Sequence, residues 1–218
     1  MNFWQWVSFW MVGAIASIAG PPAFAAEPEP QAVVLHGADL EALREVTLQA
    51  AREGDVKTLQ AYIDIGQPLD LRTSRGDTLL ILASYNGHFA ATRLIASRRG
   101  TAIDATNGMG FTALTGAAFK GDLKMARLLV EHGAQVEGAT GSERTPLMFA
   151  ALFGRNEVAR FLIEQGADKS RSDSAGQTAS SLAAAQGNSA MVTLIQNTQS
   201  KATNVRRSQR KPVEAPRP

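Results

Sequence analysis

An all-α solenoid of about five helix-turn-helix units is the fold class this sequence predicts, on three observations. Glycines recur at Gly54, Gly87, Gly121, Gly154 and Gly187, 33 or 34 residues apart, and Gly66, Gly100, Gly133 and Gly166 form a second series in the same register. Apolar pairs follow another apolar residue by three and four positions: Leu128-Leu129 after Met125, Phe161-Leu162 after Val158, Leu194-Ile195 after Met191. That spacing places each trio on one face of a helix. Finally, a threonine (Thr78, Thr112, Thr145, Thr178) and, five residues on, an alanine (Ala83, Ala117, Ala150, Ala183) hold fixed places in each copy. A period of this length signals one supersecondary unit copied several times.

Each element of the unit follows from its residues. The threonine precedes a helix, where its hydroxyl can accept from free backbone N–H groups. Pro146 suits the first helical turn, where no donor is missed. Small residues such as Ala117-Ala118 and Ala150-Ala151 let helices approach closely. The central glycine fits a left-handed turn, and Asp122 and Glu157 start second helices, where the helix dipole favours carboxylates. One unit cannot bury its apolar stripe, so neighbours must stack. The units fall at about 39–72, 73–106, 107–139, 140–172 and 173–198. The first lacks the turn glycine and the threonine that open the pattern and has a longer, charged first helix; in the fifth, Ser180 replaces the leucine of the repeat pattern and Ser181 its histidine. Both read as polar end caps, or, for the fifth, as a half-unit.

The units beginning GDTLLILASYNG at Gly76, GFTALTGAAFKG at Gly110, ERTPLMFAALFG at Glu143 and GQTASSLAAAQG at Gly176 resemble the ankyrin repeat. Thr145-Pro146-Leu147 and the closing Gly133-Ala134 and Gly166-Ala167 carry the likeness most fully. The resemblance implies a protein-binding module that uses loop tips and the exposed side of its first helices. Carried over position by position, it implies partner-binding roles for Arg75, Asp77, Met109, Phe111 and Arg144, with Ser142 beside it, at the tips. On the first helices it implies them for Tyr85, Asn86, Phe119, Lys120, Leu152 and Phe153. Large apolar residues at solvent-facing positions would be informative. The alternative is that Phe111, Phe119 and Phe153 pack between repeats.

Little points to chemistry. The chain has no cysteine, which excludes disulfides, thiolate zinc sites and a cysteine nucleophile. Its three histidines, His36, His88 and His132, have no metal-ligand spacing, and His88 reads as a turn or cap hydrogen-bonding residue. No phosphate loop and no nucleophile turn appear. No enzyme, cofactor or metal is expected. Net charge is +2, but residues 201–218 hold six basic residues and one acidic, leaving 16 basic against 19 acidic before them. The basic balance therefore belongs to a tail, and a nucleic-acid-binding body is not expected.

Residues 4–26, WQWVSFWMVGAIASIAGPPAFAA, read as a signal peptide ending in the small-x-small triplet Ala23-Phe24-Ala25. The alternative is an inner-membrane anchor formed by residues 4–20, although the apolar run from Val7 to Ala19 is shorter than the ~20 residues a span needs. Cleavage would give residues 1–25 as signal, 26–38 as an extended lead, 39–198 as the repeat domain and 199–218 as a disordered basic tail. The functional expectation is a monomeric, exported, periplasmic scaffold that binds a protein partner and has no membrane span after cleavage. An envelope-anchored scaffold, a secreted effector or a toxin-neutralising binder are the alternatives.

Overall fold

The computed structural model describes residues 37–138 and 144–198. The targeting segment, most of the lead, Ser142 and the basic tail lie outside the described residues. Among those described, ten α-helices and no strand form five pairs. They are α1 (Gly37–Glu53) with α2 (Val56–Asp64), α3 (Leu79–Tyr85) with α4 (Phe89–Ala96), α5 (Ala113–Lys120) with α6 (Leu123–Glu131), α7 (Pro146–Leu152) with α8 (Asn156–Glu164), and α9 (Ala179–Ala185) with α10 (Ser189–Asn197). The first helices of successive pairs pack side by side as one layer, and the second helices form another behind them. The fold class expected from the sequence is the one observed.

Local chemistry sets the helix bounds. Thr78, Thr112, Thr145 and Thr178 each sit at an N-cap and accept a bond from the backbone N–H three residues on. Such a cap is worth about 1 kcal/mol. Pro146 opens α7 in the first turn. The five central glycines turn the chain between helices at φ from 65° to 80°, a region that costs other residues about 1–2 kcal/mol. Ala83, Ala117, Ala150 and Ala183 are fully buried between first-layer helices, which keeps that layer closely spaced. In the second layer Ile95, Leu129, Leu162 and Ile195 hold one register and are all buried. Each such side chain contributes about 1.5–3 kcal/mol on burial.

The ends are sealed differently. Helix α1 begins at Gly37, two residues inside the expected lead, and is 17 residues long. Its Arg44 Nη2 donates to the Arg72 carbonyl at 2.6 Å, tying the helix to the next hairpin. The fifth unit forms both of its helices, so it is a complete pair. Lys169 Nζ donates to the carbonyls of Ile195, Gln196 and Thr198 at 2.9, 3.3 and 3.2 Å. A cation thereby satisfies the carbonyls that the last helix leaves open. No helix among the described residues is long and apolar enough to cross a membrane.

Three loop carboxylates are held below their ordinary range. Asp55 owes this first to the Thr58 hydroxyl, Asp168 to the Ser170 hydroxyl and Asp173 to the Gln177 backbone N–H. A depressed folded pKa stabilises the fold above the unfolded value of about 3.9, and that stability is lost as pH falls through the folded value. The urea midpoint should therefore fall between pH 5 and pH 2.5 in the parent, and fall less in the triple Asn variant. Equal acid sensitivity in the two proteins would refute this assignment.

Candidate partner-binding face

The hairpins between units are held by a repeated device. Asn107 Oδ1 accepts from the backbone N–H groups of Met109 and Phe111 at 3.0 and 3.1 Å, closing its own hairpin. Its Nδ2 donates to Asp77 Oδ1 of the preceding hairpin at 2.8 Å. Two units further along, Asp173 Oδ1 accepts from Ala175 and Gln177 at 3.0 and 2.9 Å, while Oδ2 accepts from Arg144 Nε at 3.0 Å. One side chain thus shapes its own loop and grips the loop before it.

Two of the expected contact residues thereby meet the hairpin of the next unit. Asp77 is only 7% exposed, and its second oxygen faces Arg75 Nε at 3.4 Å and Thr73. Arg144 is drawn to the buried Asp173 carboxylate. Both serve as pegs between units, since a buried carboxylate must be paired. Their partners lie about 30 residues away in sequence, so a position-by-position carry-over could not show them. By contrast, the Arg75 side chain is 79% exposed and Met109 is 68% exposed, as loop-tip contacts require.

On the first layer, Tyr85 and Phe153 are both 42% exposed, and Lys120 and Asn86 are exposed beside them. Phe119 is half-buried between the two rings: its centroid lies 6.3 Å from a stacked Tyr85 and 4.6 Å from an edge-on Phe153. Lys120 Nζ sits 4.4 Å from the Tyr85 ring centroid, a cation–π arrangement. Asn86 turns its Nδ2 to the Leu82 carbonyl at 2.8 Å and closes helix α3. Leu152 is half-buried against the core, and so is Phe111, whose ring meets Phe149 edge-on at 5.0 Å. The expected row therefore exists as Tyr85, Phe119 and Phe153, with Leu152 turned inward. Phe111 and Phe119 each pack on the core and also line the pocket between the first-layer helices and the hairpins.

Tyr85, Phe119, Phe111 and Phe149 surround a pocket of about 390 Å³, with Arg52, Arg75 and Asn107 at its edge. Arg52, Asn107, Gly116 and Phe149 were not expected at the site. The signal for Gly116 was present in the repeat register, where its equivalents are Leu82, Phe149 and Leu182. His88, as expected of a turn residue, donates from Nε2 to the Arg52 carbonyl at 2.9 Å. Arg155 does the same for the Phe119 carbonyl at 3.0 Å, two units later. His132 ends the second-layer helix α6 and lines no part of the pocket. No group of three or more metal-ligating side chains occurs among the described residues.

Comparison with known proteins agrees with this architecture. The family model described as ankyrin repeats, in three copies, matches residues 47–140 and 137–206, well over half of the chain. A protein of Pseudomonas aeruginosa named as an ankyrin repeat protein is 46% identical over 44 residues, 20% of this chain and 26% of that relative. The chain thus spans about a quarter of the length of the curated relative it matches. With five stacked helix pairs, threonine caps and left-handed glycine turns in register, the chain belongs to the ankyrin repeat family.

Proposed function

We propose that this protein is a non-catalytic scaffold in an extracytoplasmic compartment, a bacterial periplasm, where it holds a protein partner on its first-layer face. Ankyrin repeats are binding scaffolds, and that coarse role follows from membership of the family. One observation carries the finer reading. Tyr85, Phe119 and Phe153 form a continuous aromatic row across three units, partly open to solvent and flanked by the exposed cation Lys120. Aromatic anchors inside a charged rim are the make-up of a binding hot spot. The export proposal rests on the apolar segment closed by Ala23-Phe24-Ala25, and an anchor formed by residues 4–20 is its rival.

Both parts are testable with the full chain expressed in its native setting. All three tryptophans, Trp4, Trp6 and Trp10, lie in the targeting segment. Protein recovered from the periplasmic fraction should lack tryptophan fluorescence and have an intact mass starting near Ala26. A tryptophan-containing product in the membrane fraction would favour the anchor instead. For binding, cross-linked capture from an envelope extract should be strong for the parent and weak for Tyr85→Ala/Phe153→Ala. Equal capture by the two proteins would overturn the assignment to this face.

A further inference from the structure

Three of the five first-layer helices carry a large apolar residue at one repeat position: Leu82 in α3, Phe149 in α7 and Leu182 in α9, all buried, while the end helix α1 has the exposed Gln49 there. In α5 that position is Gly116. No backbone requirement explains it, because Gly116 lies inside a helix and is absent from the positive-φ glycines. A helix-interior glycine is less stable than alanine there. Gly116 lines the pocket of about 390 Å³ between Tyr85, Phe111, Phe119 and Phe149, and a side chain there would take up part of that space. That volume is near the lower end of about 300–1,000 Å³ for ligand pockets, room for a side chain or two rather than a cofactor. A Cβ built on Gly116 would stand 3.3 Å from Tyr85 Cδ2, so any side chain there would enter the hole.

The charges around the hole are mainly positive. Arg52 and Arg75 line it, and Lys120 stands over the Tyr85 ring. The carboxylate at its edge, Asp77, is turned to Asn107, Thr73 and Arg75. An ammonium or guanidinium ligand would meet aromatic faces but also a rim of net positive charge, whereas carboxylates would meet Arg52 and Lys120 together with Arg75, whose Nε already faces Asp77.

We propose that the Gly116 hole is the specificity pocket of the binding face: it accepts one large apolar side chain of a partner peptide segment, with carboxylates next to that side chain engaging Arg52, Arg75 and Lys120. This rests on the binding-face reading above and names the partner's chemistry. The partner supplies the side chain that the repeat register omits, and Tyr85 and Phe119 close around it.

The test pans a random twelve-residue phage-displayed peptide library on the full chain, then measures selected synthetic peptides by fluorescence anisotropy against three variants. Selected peptides should share a large aliphatic or aromatic residue beside Asp or Glu. Gly116→Leu, which fills the position with a large apolar side chain as Leu82 and Phe149 do in the neighbouring units, should weaken them by at least about thirtyfold, a hot-spot-sized effect, while Gly116→Ala, which adds only a methyl group, should weaken them less. Replacing the peptide's acidic residues by Lys should weaken binding as well. Phe153→Ala distinguishes the face from the hole, because Phe153 belongs to the first and not to the second. If Phe153→Ala weakens binding and Gly116→Leu does not, the face stands and the hole proposal falls. If neither weakens it, both fall. Selected peptides rich in Lys or Arg, no peptide preferring the parent over Gly116→Leu, or self-association of the parent that Gly116→Leu abolishes would each overturn the proposed occupant.

Discussion

Replacing Phe119 and Phe153 together by alanine is expected to weaken partner capture by about 2 kcal/mol or more, the hot-spot threshold, while leaving a folded chain. The two rings do not contribute alike. Phe153 is 42% exposed, so its loss should cost the fold little beyond its edge-to-face contact with Phe119, about 0.5–1.5 kcal/mol. Phe119 is half-buried between Tyr85 and Phe153, and its truncation should cost less than the ~3–5 kcal/mol of a fully buried phenylalanine. Urea unfolding of both single variants and the double variant, alongside capture by each, separates these contributions. A double variant that unfolds at the parent's midpoint and captures as well as the parent would exclude the aromatic row from binding. Loss of the whole fold would mean that the row is a seam between repeats.

Leu129→Ala should damage the fold more than truncation of either ring, at about 2–5 kcal/mol. Leu129 is fully buried in α6, in register with Ile95 before it and Leu162 and Ile195 after it, and α6 packs against both α4 and α8. In a solenoid, stability is close to a sum of unit terms and neighbour-interface terms. Removing a central link should therefore lower the midpoint and also broaden the transition as the two halves uncouple. The equivalent change at the end, Ile195→Ala, should lower the midpoint less, because the last unit has one neighbour. Circular dichroism during urea titration reads both effects. A Leu129→Ala variant as stable as the parent would contradict the stacked architecture.

Most of this fold could be read from the sequence because each unit repeats its local physics. A glycine at φ near 80° and a threonine N-cap are decided by their immediate neighbours, and aligned copies make either signal plain. What escaped is what crosses between units. Asp77 looked like a charged loop tip, yet Asn107, 30 residues later, draws it inward. Arg144 reads as a rim cation until Asp173 is seen to hold it. Leu152 and Phe153 are adjacent and both apolar; which of them faces out depends on where α7 ends, and the helix closes at Leu152 with Phe153 as its cap. The Gly116 hole was legible in principle, since the register shows a glycine where Leu82, Phe149 and Leu182 stand. The space a glycine leaves becomes visible only once the rings around it are in place.

Site-specific photo-cross-linking tests most directly whether the first-layer face holds the partner. A benzoylphenylalanine would replace Phe153 or Tyr85 on the first-layer face, and Arg160 or Glu131 on the exposed second layer, each in the full chain in its native compartment. One partner adduct of constant mass is predicted from positions 153 and 85, and none from positions 160 and 131. Adducts formed from the second-layer positions alone would contradict a first-layer binding face.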